Sequence, residues 1–173
     1  MKKVNVEKVF GSELKEFMRL LSSSGKECYI VGGAVRDLLL GYKKFKDIDL
    51  TTSLSVEQLK QIFDQNQIRF DDRALKYGCL KVNNQKKRNI QVTSFRKDIR
   101  TFGRAADIEF VENIEEDAKR RDFTINAFYC SYDGQIIDPL GNLEDLNKLR
   151  LDFIGDPERR IKEDYLRILR FFR

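Results

Sequence analysis

Two aspartates one residue apart, Asp47-Ile48-Asp49, are the first residues whose spacing suggests chemistry. On a strand, residues i and i+2 point to the same face. Neighbouring carboxylates repel, so the pair calls for a cation between them. Mg²⁺ suits it, because that ion takes oxygen ligands and keeps waters and substrate phosphates in its shell. An exposed strand with an acidic solvent face is spelled the same way. The segment Gly32-Gly33-Ala34-Val35-Arg36-Asp37, a short way upstream, favours the first reading. Two glycines between a strand and a helix let the backbone approach an anion, and the helix start offers free N–H groups. Arg36 adds a charge-assisted contact. Taken alone, the glycine pair is equally a plain structural turn.

Two more clusters carry donors and acceptors. Arg120-Arg121-Asp122-Phe123-Thr124-Ile125-Asn126 can hold phosphates and a ribose hydroxyl together, or it is a charged helix end followed by an Asn turn. Glu163-Asp164-Tyr165-Leu166-Arg167-Ile168-Leu169-Arg170 places Glu163 and Arg167 at i,i+4 and Asp164 and Arg167 at i,i+3 on a helix. That is a surface ladder of ion pairs, or an acceptor and a fork of donors for a base edge.

The elements that must position these groups follow from periodicity and caps. Residues 12–24 read as an amphipathic helix with Ser12 as N-cap and Gly25 as stop. Cys28–Val31 is a short buried strand, Ala34–Leu40 a helix ended by Gly41, and Asp47–Thr52 an alternating strand. Ser55–Gln65 is a helix with Ser55 and Gln58 in capping-box spacing. Strands are expected at 67–70, 78–83 and 88–95, the last two flanking the polar turn Asn83–Lys87. Residues 97–107 show no period and read as a mobile basic loop. Glu115–Arg121 is a short helix, 126–137 a hairpin turning at Asp133-Gly134, and Leu143–Leu149 a helix. A last helix starts near Pro157 and continues to the final residue. Its apolar Leu166, Leu169, Phe171 and Phe172 are expected to pack on something that follows, so the chain reads as the N-terminal part of a longer architecture. Strands and helices intermix around a sheet, which makes the class α/β or α+β.

Composition narrows the chemistry. There is no His among the 173 residues. That excludes Ser-His-Asp and Cys-His catalysis and His-ligated metals. Cys28, Cys79 and Cys130 are far apart and form no CxxC, so a reduced, cytoplasmic setting is expected. A net charge of +5 permits a polyanionic partner. No apolar run approaches the ~18 residues of a membrane span, and the N-terminus lacks the apolar stretch of a signal peptide. No GxxxxGK[ST] is present, which sets aside a P-loop NTPase.

Taken together, IVGGAVRDLLLG followed by DIDLTT, then RRDFTINAFY, DPLGNLEDL and IGDPERRIKEDYLRILRFFR closely resemble the catalytic head of the class II tRNA nucleotidyltransferases. These are the CCA-adding enzymes of bacteria and eukaryotes, a class that includes bacterial poly(A) polymerases. The resemblance runs from Glu27 to Arg173. It implies an α+β, polymerase-β-like nucleotidyltransferase head, a mixed sheet flanked by helices, over residues 1–153, with the first helix of a helical neck over 154–173. It further implies template-free addition of C and A to a tRNA 3′ end from CTP and ATP, with two Mg²⁺ ions on Asp47 and Asp49. By the same resemblance Gly32, Gly33 and Arg36 hold the triphosphate, and Arg121, Asp122 and Asn126 sense the ribose. Asp164 and Arg167 read the base edge, Glu163 orients Arg167, Arg160 lies near the triphosphate, and Arg170 completes the nucleotide-binding set. Residues 97–107 correspond to the family's flexible loop. Gln91 departs from the Glu of many relatives, which removes a third acidic group near the metals. A C-terminal body and tail, or a second chain, is the expected further partner. Poly(A) addition and a non-catalytic nucleotide-binding module are the alternatives.

Overall fold

The alternation along Asp47–Thr52 sets the architecture. Ile48 and Leu50 are buried, while Asp47 and Asp49 face outward from the same strand. A strand patterned this way needs an apolar layer on one face and leaves a polar site on the other. The computed structural model, which describes residues 3–45, 47–83, 89–102 and 105–172, supplies both.

Seven strands form a mixed sheet in the order β3-β4-β5-β2-β1-β8-β9. They are β1 (Cys28–Val31), β2 (Asp47–Thr52), β3 (Phe70–Asp71), β4 (Cys79–Asn83), β5 (Asn89–Ser94), β8 (Tyr129–Ser131) and β9 (Ile136–Ile137). Strands β2 and β5 run parallel, and the other described pairs are antiparallel. Three helices cover the apolar face: α1 (Val6–Phe10), α2 (Ser12–Leu21) and α4 (Val56–Gln65). Phe10, Leu14, Met18, Leu21, Leu59 and Phe63 pack there on Ile30, Ile48, Leu50, Ile90 and Val92. On the other face Val31, Ala118, Ala127 and Tyr129 form a smaller cluster beneath α5 (Ile114–Lys119). The helix α3 (Gly33–Leu39) follows β1 directly, and α6 (Leu143–Asn147) closes one end.

Several expectations need correction. The stretch 97–107 is not an irregular loop: β6 (Arg96–Phe102) and β7 (Ala105–Phe110) form an antiparallel ribbon with a bulge between Asp98 and Arg100. The ribbon is a two-stranded sheet of its own, and its β6 strand, RKDIRTF, carries too many charges to show an apolar alternation. A cross-strand Lys97–Glu109 ion pair at 2.8 Å supports it instead. Residues 103–104, and 84–87 of the expected polar turn, lie outside the described residues. The strand expected at 67–70 is displaced to Phe70–Asp71, because Gln67 at φ 55° closes the turn after α4. Helix α2 ends at Leu21, with Ser24 at φ 58°, and Gly11 rather than Ser12 occupies its N-cap. Helix α1, capped by the Asn5 side chain, was too short to show a period. The Ser55–Gln58 capping box forms as read.

The last helix is two helices, α7 (Pro157–Glu163) and α8 (Leu166–Phe171). Asp164 breaks them with extended φ −153°, ψ 101°, and its carboxylate accepts from the Leu166 N–H at 3.0 Å. Phe171 stacks on Phe153 and meets Phe123, so part of the apolar face is used within this fold. Among the described residues no helix is long and apolar enough to cross a membrane.

Candidate active site

The polar face of the sheet and helices α7–α8 enclose a cleft of about 1050 Å³. Every expected site residue lines it except Arg160 and Glu163. The sheet order brings them together: β1 delivers Gly32 and Gly33 beside β2, and the register sets Asp49 between Val31 and Gln91.

Asp47 and Asp49 form the floor. Asn89 Nδ2 donates to Asp47 Oδ1 at 2.8 Å. Burial pushes the Asp49 carboxyl above its ordinary range; Arg121 opposes this, Asp47 adds to it and Arg120 opposes it. Two crowded carboxylates, with the Asp49 carboxyl raised by burial, are suited to a cation. Asp47 and Asp49 offer two carboxylates, and among the described residues no group of three or more His, Cys, Asp or Glu is placed to hold a metal ion. That donor set fits Mg²⁺, which takes one or two carboxylates and completes its shell with waters and phosphate oxygens.

The phosphate wall follows. Gly32 sits at φ 75°, ψ −140°, a conformation that favours glycine, with Arg121 Nη1 3.9 Å from where a Cβ would stand. Arg36 is clamped by Asp37 at 2.9 Å and donates through Nη1 to Asn126 Oδ1 at 2.9 Å. Arg121 donates to Asp117 Oδ2 at 2.8 Å and to the Tyr129 hydroxyl at 3.0 Å. Arg120 binds the other Asp117 oxygen at 2.9 Å, and the Tyr129 hydroxyl donates to Oδ2. Asp117 is fully buried. Burial alone would raise its carboxyl, but Arg121, Arg120 and the Tyr129 hydroxyl hold it well below the usual carboxylate range. Asp117 escaped the sequence reading; its spacing of three and four residues to Arg120 and Arg121 was the available signal.

The opposite wall departs from the expected pairing. Asp164 does not pair with Arg167, because the helix breaks between them; it binds Arg170 at 2.8 Å. Arg167 is 3% exposed and donates to Asp122 Oδ1 at 2.7 Å and Glu163 Oε2 at 2.9 Å. The Arg167 side chain also lines the cleft. Both Asp122 oxygens are taken, the second by Arg170 at 2.6 Å. Burial would raise the Asp122 carboxyl, but Arg170 and Arg167 hold it low. Asp122 therefore clamps two arginines, while the Asn126 amide oxygen is taken by Arg36. Arg160 lies behind the cleft. Its Nη2 donates to the carbonyls of Arg120 and Arg121, and its Nη1 to Glu163. Arg96, also missed, lines the side near Gln91; burial and the neighbouring Arg120 bring it down to about 10.

A cleft with an acidic floor and arginine walls can hold a metal-bound polyphosphate. Residues 28–152 match the family model described as the poly A polymerase head domain. The chain is 40% identical over 166 residues to the human CCA tRNA nucleotidyltransferase 1, mitochondrial, covering 95% of this chain and 38% of that protein. It is 39% identical over 157 residues to the CCA-adding enzyme of Lactococcus lactis subsp. cremoris, covering 88% of this chain and 38% of the relative. It thus spans well under half the length of these curated relatives. The Bacillus stearothermophilus CCA-adding enzyme in complex with CTP superposes with a TM-score of 0.78 at 36% identity, over 92% of this chain and 37% of that one. A tRNA nucleotidyltransferase complexed with a primer tRNA and an incoming ATP analog superposes at 0.66 and 27% identity, over 89% and 42%.

Proposed function

This chain belongs to the poly A polymerase head-domain family, and on that premise we propose that it is the catalytic head of a template-independent RNA nucleotidyltransferase adding C and A to tRNA 3′ ends. The observation that carries the reading is the Asp47/Asp49 pair on the floor of an arginine-walled cleft. The names of the relatives, and the CTP in one solved relative, support the choice of substrates.

In this reading the 3′ hydroxyl oxygen gives its proton to water and bonds to the α-phosphorus of CTP or ATP, the bond to the bridging oxygen breaks, and pyrophosphate leaves with the electron pair. Asp47 and Asp49 would hold two Mg²⁺ ions, which would lower the pKa of the hydroxyl and offset the charge on the leaving group. Arg121 and the Gly32–Gly33 backbone hold the phosphates, and Arg36 orients Asn126 toward the ribose. Arg167 and the Asp164 carboxylate, both lining the cleft, meet the Watson–Crick edge, where the fixed fork of Arg167 favours C or A over bases with the opposite donor pattern. Gln91, beside Asp49, adds no negative charge, so the two aspartates carry the metal ions alone. Residues 154–173 form the first part of a neck whose arginines complete this site. A C-terminal helical region or a second chain supplies most of the grip on RNA. The compartment is a reduced one, the cytoplasm, in keeping with three buried free thiols.

Incubation with tRNA ending before CCA, after C or after CC, and with each labelled NTP in turn, tests the proposal. Ordered incorporation of C, C and A that Asp47→Ala abolishes is the expected result. Unlimited A addition identifies a poly(A) polymerase instead, and no incorporation in the presence of tight Mg²⁺–CTP binding identifies a binding module.

A further inference from the structure

Residues 120–122 are a strap between the two walls of the cleft. Arg120 and Arg121 face the phosphate side through Asp117, and Asp122 faces the base side. Arginines from α7 and α8 pin this strap along its length. Arg160 Nη2 donates to the Arg120 carbonyl at 2.6 Å and to the Arg121 carbonyl at 2.7 Å. Arg167 and Arg170 hold the Asp122 carboxylate. Arg160 Nη1 reaches Glu163 Oε2 at 2.8 Å, the same oxygen that accepts from Arg167, and the Arg160 carbonyl accepts from Arg167 as well.

Arg160 lies outside the nucleotide cleft, and its side chain is only 11% exposed. Its Nε is buried with no hydrogen-bond partner. An unpaired buried donor costs free energy. The guanidinium therefore sits where it joins other groups, at the expense of satisfying itself. Resting on the nucleotide reading above, we infer that Arg160 is a positioning residue that couples the base half of the site to the phosphate half. A base fixed on Arg167 immobilises Glu163 and, through Arg160, the carbonyls of Arg120 and Arg121. The Arg121 guanidinium is then already ordered when phosphates arrive, so the second ligand pays less conformational entropy. The effect is reciprocal by linkage. Lysine cannot replace Arg160 here, because one ammonium lacks the planar fork that spans two carbonyls and a carboxylate.

The test divides the nucleotide into its halves. Cytidine and Mg²⁺–tripolyphosphate are titrated by NMR into the chain, each alone and each with the other saturating, for wild type, Arg160→Lys and Glu163→Gln. In wild type each ligand tightens the other by about 5-fold or more. Arg160→Lys brings that factor to near 1, and Glu163→Gln, which cuts the link to Arg167 and leaves the carbonyl bonds, brings it to an intermediate value. The factor is a ratio, so a general loss of affinity or stability does not move it. If wild type binds both ligands independently, the coupling is overturned and the nucleotide site stands. The coupling by Arg160 is likewise overturned if a folded Arg160→Lys, or Glu163→Gln where Arg160→Lys fails to fold, keeps the wild-type factor. If wild type binds neither ligand, the nucleotide reading itself fails, and this inference with it.

Discussion

Replacing Asp117 by Asn tests the electrostatic frame of the site without a change of shape. The carboxylate is fully buried and serves Arg120, Arg121 and the Tyr129 hydroxyl at 2.8–2.9 Å. The substitution leaves two guanidinium groups, each 14% exposed, without their counter-charge. Removing one partner of a buried ion pair costs about 3–5 kcal/mol. Both arginines retain some contact with water, which favours the lower end, about 3 kcal/mol. A domain of this kind is stable by about 5–15 kcal/mol, so the variant still folds but loses a large share of its margin. With a urea slope of about 2 kcal/mol/M, the unfolding midpoint drops by about 1.5 M. The pH dependence gives a second check. The native Asp117 carboxyl is held far below its unfolded value of about 3.9. Its contribution is therefore fully present above that value and is lost as the pH falls through the native one. Urea unfolding followed by circular dichroism should show a wild-type-minus-variant difference that is constant from about pH 7 to 5 and shrinks below about pH 4. A midpoint shift under about 0.3 M, or a difference unchanged between about pH 7 and pH 2, would refute the buried charge triad.

Asp49→Asn removes one of two repelling carboxylates, so without metal its melting temperature stays level or rises, while the stabilisation of wild type by Mg²⁺ and CTP disappears and transfer falls by about 10²-fold or more. A variant stabilised by Mg²⁺ and CTP as strongly as wild type contradicts the metal assignment. Asp164→Ala relaxes the preference for CTP over UTP by about 5- to 150-fold, corresponding to about 1–3 kcal/mol for unpaired polar groups; an unchanged ratio in steady-state kinetics places base selection elsewhere. Gly32→Ala forces an alanine to φ 75°, ψ −140°, at about 1–3 kcal/mol of backbone strain. Calorimetry should show it weakening triphosphate binding more than it alters base preference, and equal triphosphate affinity in the two proteins means the turn does not touch phosphate.

The parts of this protein that its sequence determined by itself are those written in short-range periods and caps. The i,i+2 spacing of Asp47 and Asp49 put both on one face of β2, the Gly32–Gly33 turn followed from its place between strand and helix, and the capping box of α4 formed as spelled. The family motifs marked most of the residues that line the cleft, but not Tyr77, Cys79, Arg96 or Asp98. Tertiary structure decided what those residues hold. Arg36 meets Asn126 across 90 residues, Arg167 meets Asp122 across 45, and Arg160 meets the Arg120 carbonyl across 40. The break at Asp164 follows from the same cause. An unbroken α7–α8 matched the local pattern, but the long-range ion pairs of Arg167 and Arg170, and the capping of Leu166 N–H by Asp164, accompany the two-helix form. The β6–β7 ribbon was illegible because its strands pair only with each other, outside the seven-stranded sheet, and β6 is dominated by charged residues. Periodicity records which face of an element is buried; the partner of a charged group depends on the order of strands in the sheet, and that order exists only once the chain has folded.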